Sequence, residues 1–212
     1  MKEFWNERYS ESEFVYGKQP NQFFKRAIDR IKPGKVLLPA EGEGRNAVYA
    51  ANRGWDVFAF DYSEEAKQKA LTFAAESGAD IRYELSFAED ILLPENEYDA
   101  AALIFVHLPK NVFEPFLQKV IRSLKPGGIL IMELYSEKQL ERDSGGPKSK
   151  DLLFNHDELR SLLKDVKVDQ YEEKEVNLTE GKYHQGEAVV IRAIATKKKL
   201  RYRNNILPML CL

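Results

Sequence analysis

The sequence has 212 residues, 43% of them hydrophobic, with a formal net charge of −2 and a pI near 6.0. That length suits one α/β domain with a sizeable core, and so small a charge excludes an overall field drawing in nucleic acid or an anionic membrane. The single cysteine, Cys211, excludes an intrachain disulfide and a cysteine-rich metal site, so no metal is expected; with acids near the N-terminus and no apolar run of membrane-spanning length, a cytoplasmic protein is the expectation.

In chain order, the opening Phe4-Trp5-Asn6-Glu7-Arg8-Tyr9 precedes Tyr16-Gly17-Lys18-Gln19-Pro20-Asn21. A buried strand over 35–38 then runs into the turn Pro39-Ala40-Glu41-Gly42-Glu43-Gly44 and a helix over 45–53. A second strand, 56–60, ends at Asp61, and Ser63 caps a helix over 63–77. Strands are expected over 81–85, 98–105 and 128–134, with Pro109 in the first turn of a helix over 109–124. Ser144-Gly145-Gly146-Pro147-Lys148 reads either as a mobile loop bringing Lys148 and Lys150 to an anionic acceptor or as a solvated connection. After a helix over 157–163, with His156 as part of its cap, two long strands over 166–176 and 187–196, joined through 177–186, read as a hairpin on the sheet edge. Such alternation demands right-handed crossovers and a doubly wound parallel sheet with helices on both faces. A basic and then apolar tail follows Thr196, so residues 1–196 are expected to form one domain and 197–212 a flexible end.

The turn after the first strand has the form of a nucleotide-type cofactor loop. Gly42-x-Gly44-x-x-Ala47 satisfies the dinucleotide spacing, and Asp61 is placed to hold a ribose diol. Glu41 and Glu43, however, set carboxylates where a pyrophosphate would lie, which costs on the order of several kcal/mol in a partly dehydrated turn. S-Adenosylmethionine has no phosphate, and its sulfonium and ammonium are attracted by acids. Charge therefore favours it over NAD(P).

Taken together, the opening segment, the Gly42-Glu43-Gly44-Arg45-Asn46-Ala47 loop, Asp61 and the Leu124-Lys125-Pro126-Gly127-Gly128 turn resemble the class I S-adenosylmethionine-dependent methyltransferases. Within that class the chain is most similar to the bacterial tellurite-resistance and thiopurine methyltransferase-like group. The resemblance implies a Rossmann-like seven-stranded sheet in the order 3-2-1-4-5-7-6 with strand 7 antiparallel, and a helical cap over the cofactor site from residues 1–30. It further implies that Gly42 and Gly44 let the backbone approach the methionine end, with Ala40, Glu41 and Asn46 beside them, and that Asp61 binds the ribose. By the same implication Tyr62, Ala88 and Glu89 lie about the adenine, Phe105 meets the cofactor at the end of strand 4, Arg8 pairs with the methionine carboxylate and Trp5 covers it. The chain departs from the pattern at Leu38, where an acid is usual, at Ala40, where glycine is usual, and at Phe87, where an adenine-binding acid is frequent; Glu41 stands ready to replace the missing acid.

Methyl transfer from a sulfonium is an in-line displacement by an activated donor, so alignment and water exclusion matter more than a metal or triad. The acceptor is expected to be a small molecule, with a thiol, selenium or tellurium centre implied by resemblance alone. Candidate catalytic groups are His107 at the end of strand 4, His184 in the terminal hairpin, and Tyr16 on a lid. A monomer or weak homodimer, binding neither nucleic acid nor membrane, is expected. A rival from another class is a non-catalytic cofactor-binding or interaction protein, motivated by the three departures.

Overall fold

The computed structural model describes residues 2–199; the expected tail from residue 200 onward, with Cys211, lies outside the described residues. Seven strands form one sheet, β1 (Lys35–Pro39), β2 (Asp56–Asp61), β3 (Arg82–Leu85), β4 (Tyr98–Ile104), β5 (Leu124–Tyr135), β6 (Val166–Glu180) and β7 (His184–Lys197). Their order is β3-β2-β1-β4-β5-β7-β6, with β7 antiparallel to both neighbours and the first five strands parallel, as the resemblance implied.

The alternation of side chains along each strand explains why helices cover both faces. Val36 and Leu38 of β1, with Val57 and Ala59 of β2, pack against α2 (Gln22–Ile28), α3 (Arg45–Ala51) and α4 (Glu64–Glu76). Leu37, Phe58 and Phe60, one residue out of step, pack on the opposite face with Phe113, Phe116 and Leu117 of α5 (Lys110–Ser123) and Leu159 of α6 (His156–Ser161). Leu38, at the position where an acid is usual, is therefore a core side chain with no exposure. Among the described residues no helix is long and apolar enough to cross a membrane.

Two expectations are corrected, and a third reading left open is narrowed. Of the helical cap expected over 1–30, α1 (Lys2–Tyr9) and Tyr16 in the segment after it reach the cleft; α2 buries Phe24 and Ile28 in the sheet core, because Asn21 caps it and its aromatic face finds β1. The terminal strands are longer than expected: their ladder continues through Val176↔Ala188 to Glu180↔His184, so the connection is 181–183 rather than 177–186. Backbone pairing needs no apolar side chains, which is why the polar run Asn177-Leu178-Thr179-Glu180 concealed it. The Ser144–Lys148 segment is tied down rather than loose, with Ser144 Oγ donating to the Glu187 carbonyl at 2.6 Å and Gln139 Nε2 to the Gly145 carbonyl at 2.9 Å.

Candidate active site

The strand order reverses between β1 and β4, and the crevice opens at their carboxyl ends. Both strands end in a non-glycine residue of left-handed conformation, Ala40 at φ +48° and Phe105 at φ +52°. Each costs on the order of 1–3 kcal/mol and turns the chain away from its neighbour. Hydrogen bonds hold the bends: Glu41 N–H donates to the Phe60 carbonyl at 3.2 Å and Phe105 N–H to the Glu133 carbonyl at 2.8 Å. The left-handed backbone at Ala40 supplies the physical reason that glycine is usual there.

The loop glycines shape the crevice from behind. Neither lines the slot or the polar end of the crevice: a Cβ on Gly42 would meet the Tyr9 hydroxyl at 2.7 Å, and one on Gly44 would meet the Ala70 Cβ at 2.8 Å, where α3 and α4 approach. Glu41 is also committed. Its Oε1 accepts from the backbone of Asn46 at 2.7 Å and Ala47 at 2.8 Å, capping α3, and burial pushes its carboxyl up to about 7. Glu43, expected beside the cofactor, points away. It accepts from Val15 N–H at 2.9 Å and pairs with Lys69 at 2.7 Å, so its charge is matched and it anchors the N-terminal segment. The repulsion of a pyrophosphate thus rests on Glu41 and Asp61.

Asp61 ends β2 and is buried. Its Oδ1 accepts from Ser63 N–H at 2.9 Å and its Oδ2 from Gly42 N–H at 3.2 Å, while burial pushes its carboxyl up to about 6. Beyond it lies a mainly apolar slot of about 180 Å³, walled by Ala40, Phe60, Tyr62, Phe87, Ala88 and Leu108 and edged by Glu89. Tyr62 and Phe87 stack at its side with centroids 5.5 Å apart. In the other direction the crevice becomes polar, lined by Glu41, Arg45 and Asn46 together with Tyr9, Phe105, His107 and His184.

Trp5, Tyr16, His107 and His184 belong both to that polar end and to an outer chamber of about 350 Å³. His107 lies between Trp5 and Tyr135, nearly parallel to both at 12° and 13°; burial drives its imidazole down to about 3. His184 opens β7 rather than tipping a loop, and is buried against Tyr16 at 4.4 Å and Phe105 at 4.6 Å between ring centroids. Burial lowers its pKa, partly offset by Glu180, whose Oε2 stands 3.6 Å from Nδ1, an ion-pair contact longer than a hydrogen bond. Burial also opposes ionisation of Glu180, but His184 and Arg45 outweigh it and hold the carboxyl down to about 2, Arg45 being the closer at 2.8 Å.

Arg8 is not in the polar end of the crevice, where the guanidinium is that of Arg45; it lines the outer chamber and donates to the Tyr16 hydroxyl at 3.1 Å. Tyr9, Arg45, Tyr135 and Glu180 stand at the crevice or behind His184 without having been singled out. Arg45 was visible in the Gly-x-Gly-Arg-Asn loop, whereas Tyr135 and Glu180 carry no local signal. Of the other sequence candidates, His156 is half-buried and pairs with Asp157 at 2.9 Å, away from the crevice, and Lys150 lines no part of it. No cluster that could hold a metal ion occurs among the described residues.

A sheet whose first five strands are parallel, with its crevice at the switch point, an acid ending β2 and a mainly apolar slot beside it, defines an α/β protein of Rossmann-like form. The comparisons narrow the class. The methyltransferase-domain family matches residues 36–128. Hemagglutinin 1 of Eikenella corrodens is 25% identical over 178 residues, 82% of this chain and 57% of that protein. The ubiquinone biosynthesis O-methyltransferase of Caulobacter vibrioides is 37% identical over 84 residues, 39% of this chain and 33% of that protein. The chain thus spans less than two thirds of the length of these curated relatives. The crystal structure of TehB from Haemophilus influenzae shares the fold with a TM-score of 0.69 at 20% identity, covering 93% of this chain and 67% of that one. The methyltransferase-domain match runs from β1 into β5, the part of the fold that carries the crevice, and the solved structure shares that fold.

Proposed function

We propose that this protein is an S-adenosylmethionine-dependent methyltransferase acting on a small-molecule acceptor. The observation that carries the reading is the sequence of environments along one crevice: a mainly apolar slot, then the buried carboxylate of Asp61, then the polar end at Glu41, Arg45 and Asn46, opening past His107 into a separate chamber. Those environments match adenine, ribose diol and an amino-acid end in turn. The carboxylates of Asp61 and Glu41 disfavour a pyrophosphate, and the guanidinium at the polar end, Arg45, is already paired with Glu180.

In this reading Tyr62, Phe87, Ala88 and Glu89 flank the adenine, Asp61 takes the ribose hydroxyls, and Glu41, Arg45 and Asn46 border the methionine group. Ala40, Gly42, Gly44 and Phe105 set the backbone path around it, and Trp5 covers it. When bound, S-adenosylmethionine supplies a methyl group already activated on a sulfonium sulfur. His184 lines the chamber in which the acceptor would lie, and any acceptor proton would pass to it or to solvent. Tyr16 and Trp5 wall the chamber and keep water out. Resemblance to the tellurite-resistance group points to a thiol, selenium or tellurium acceptor, and the size of the chamber favours such a centre on an organic body over a bare oxyanion.

The test is titration calorimetry with S-adenosylhomocysteine beside NADH. Micromolar affinity for the first alone is expected, and Asp61→Ala should weaken it by about 1–3 kcal/mol through loss of two charge-assisted hydrogen bonds. Binding of NADH alone makes the protein an oxidoreductase. Binding of neither leaves a fold put to another use, since fold by itself does not determine chemistry.

A further inference from the structure

We propose that the outer chamber recognises an aromatic acid, a flat acceptor whose carboxylate is held by Arg8; this deepens the methyltransferase reading and rests on it. Of the cations that line the crevice and the chamber, Arg45 is matched by Glu180 at 2.8 Å and Lys148, at the exposed edge of the chamber, by Asp143 at 3.0 Å. Arg8 has no carboxylate partner among the described residues. Aromatic faces hold it instead, with its guanidinium carbon 4.5 Å from the Phe4 ring centroid, 5.4 Å from that of Trp5 and 4.2 Å from that of Tyr183.

Such a setting fixes the guanidinium and removes water from its faces while supplying no neutralising charge. A guanidinium has five N–H donors in a planar fork. One meets the Tyr16 hydroxyl, whose oxygen is then the acceptor and whose own proton is free to donate. The open edge fits a carboxylate, which the fork binds in two-point fashion better than an ammonium does.

The walls specify the rest of the ligand. Trp5 and His107 present near-parallel planes, 12° apart, and Pro147 and Leu152 close the chamber with apolar surface. Its volume of about 350 Å³ lies in the range of small organic ligands, roughly 300–1,000 Å³. A bare oxyanion would leave most of that space unfilled and would meet a single unmatched cation. A ring bearing a carboxylate beside a thiol or hydroxyl fills it, with the acid on Arg8 and the heteroatom toward His184.

The experiment uses four probes, thiosalicylate and salicylate and the amide of each, titrated into the full-length protein saturated with S-adenosylhomocysteine. The acids are expected to bind about ten-fold or more tightly than their amides, the difference of one charge-assisted contact. Arg8→Gln should bring that ratio toward one, Arg8→Lys should restore part of it, and affinity for S-adenosylhomocysteine should be the same in both variants as in the parent. Equal binding of acids and amides by the parent protein, or binding of none of them while S-adenosylhomocysteine binds, overturns the inference. A fall in S-adenosylhomocysteine affinity in Arg8→Gln also overturns it, by returning Arg8 to the methionine carboxylate. Failure of the parent to bind S-adenosylhomocysteine defeats the methyltransferase reading itself, a separately visible result.

Discussion

His107 and His184 face the same crevice but differ in what they can do with a proton. His107, pressed between Trp5 and Tyr135 and driven down to about 3, is too weak a base to take a proton at neutral pH. His184 is also lowered by burial, but it has Glu180 behind its Nδ1 to orient the ring and favour its cation. Replacing His184 by alanine is therefore expected to lower kcat by about 100-fold or more for an acceptor that must lose a proton, and His107→Ala by much less. Because the folded pKa of His184 lies below its ordinary value, the neutral base persists as pH falls through that value, so the acid limb of the rate profile should fall below about pH 6.5. Equal rates in the two variants, measured at saturating S-adenosylmethionine, would count against His184 as the base. Residue types announced both histidines as candidates. What separates them, a stacked sandwich in one case and a carboxylate four residues back across a hairpin in the other, belongs to residues that meet only on folding.

Among the elements, α3 shows how a loop motif acts through packing. Gly44 stands at φ +83° as its N-cap, and a Cβ there would lie 2.8 Å from that of Ala70 on α4. Gly44→Ala should cost about 2–4 kcal/mol, combining left-handed strain with a helix–helix clash, read as a lower urea midpoint with unchanged slope. A midpoint within experimental error of the parent would show that α3 and α4 separate freely. The alternation of strands and helices was legible because apolar periodicity tracks burial, as at Val36, Leu37 and Leu38, which face alternate sides of the sheet. The far ends of β6 and β7 were not, because Asn177 and Thr179 there pair through backbone alone. Glu43 was misplaced for a related reason: spacing puts it beside the glycines, but only the packed N-terminal segment and Lys69 show which way its carboxylate turns.

Across the molecule, the crevice stores charge that the fold would rather not bury. Burial raises Glu41 to about 7 and Asp61 to about 6, so between those values and the ordinary carboxylate range the folded state holds protons that the unfolded chain releases. The contribution of these two groups to stability without ligand should therefore be greatest below that window and fall as pH rises through it, by up to roughly 3 kcal/mol for each group. Glu180, held down to about 2, has the opposite sign, but its contribution is lost only as pH falls below the ordinary carboxylate range. His107 and His184, lowered by burial, act the other way below about pH 6.5, so the check is a comparison: Glu41→Gln should lose less thermal stability than the parent between about pH 5 and about pH 8, and equal slopes would contradict the assignment. The sequence by itself determined the strand–helix alternation and the acid at the end of β2, because periodicity and caps are local properties. Only the tertiary structure decided that Arg8 faces the outer chamber, that Arg45 borders the polar end of the crevice, and that Glu180 stands behind His184. Those relations join residues far apart in the chain, 135 positions for Arg45 and Glu180, and packing alone sets the distances at which charge and hydrogen bonding act.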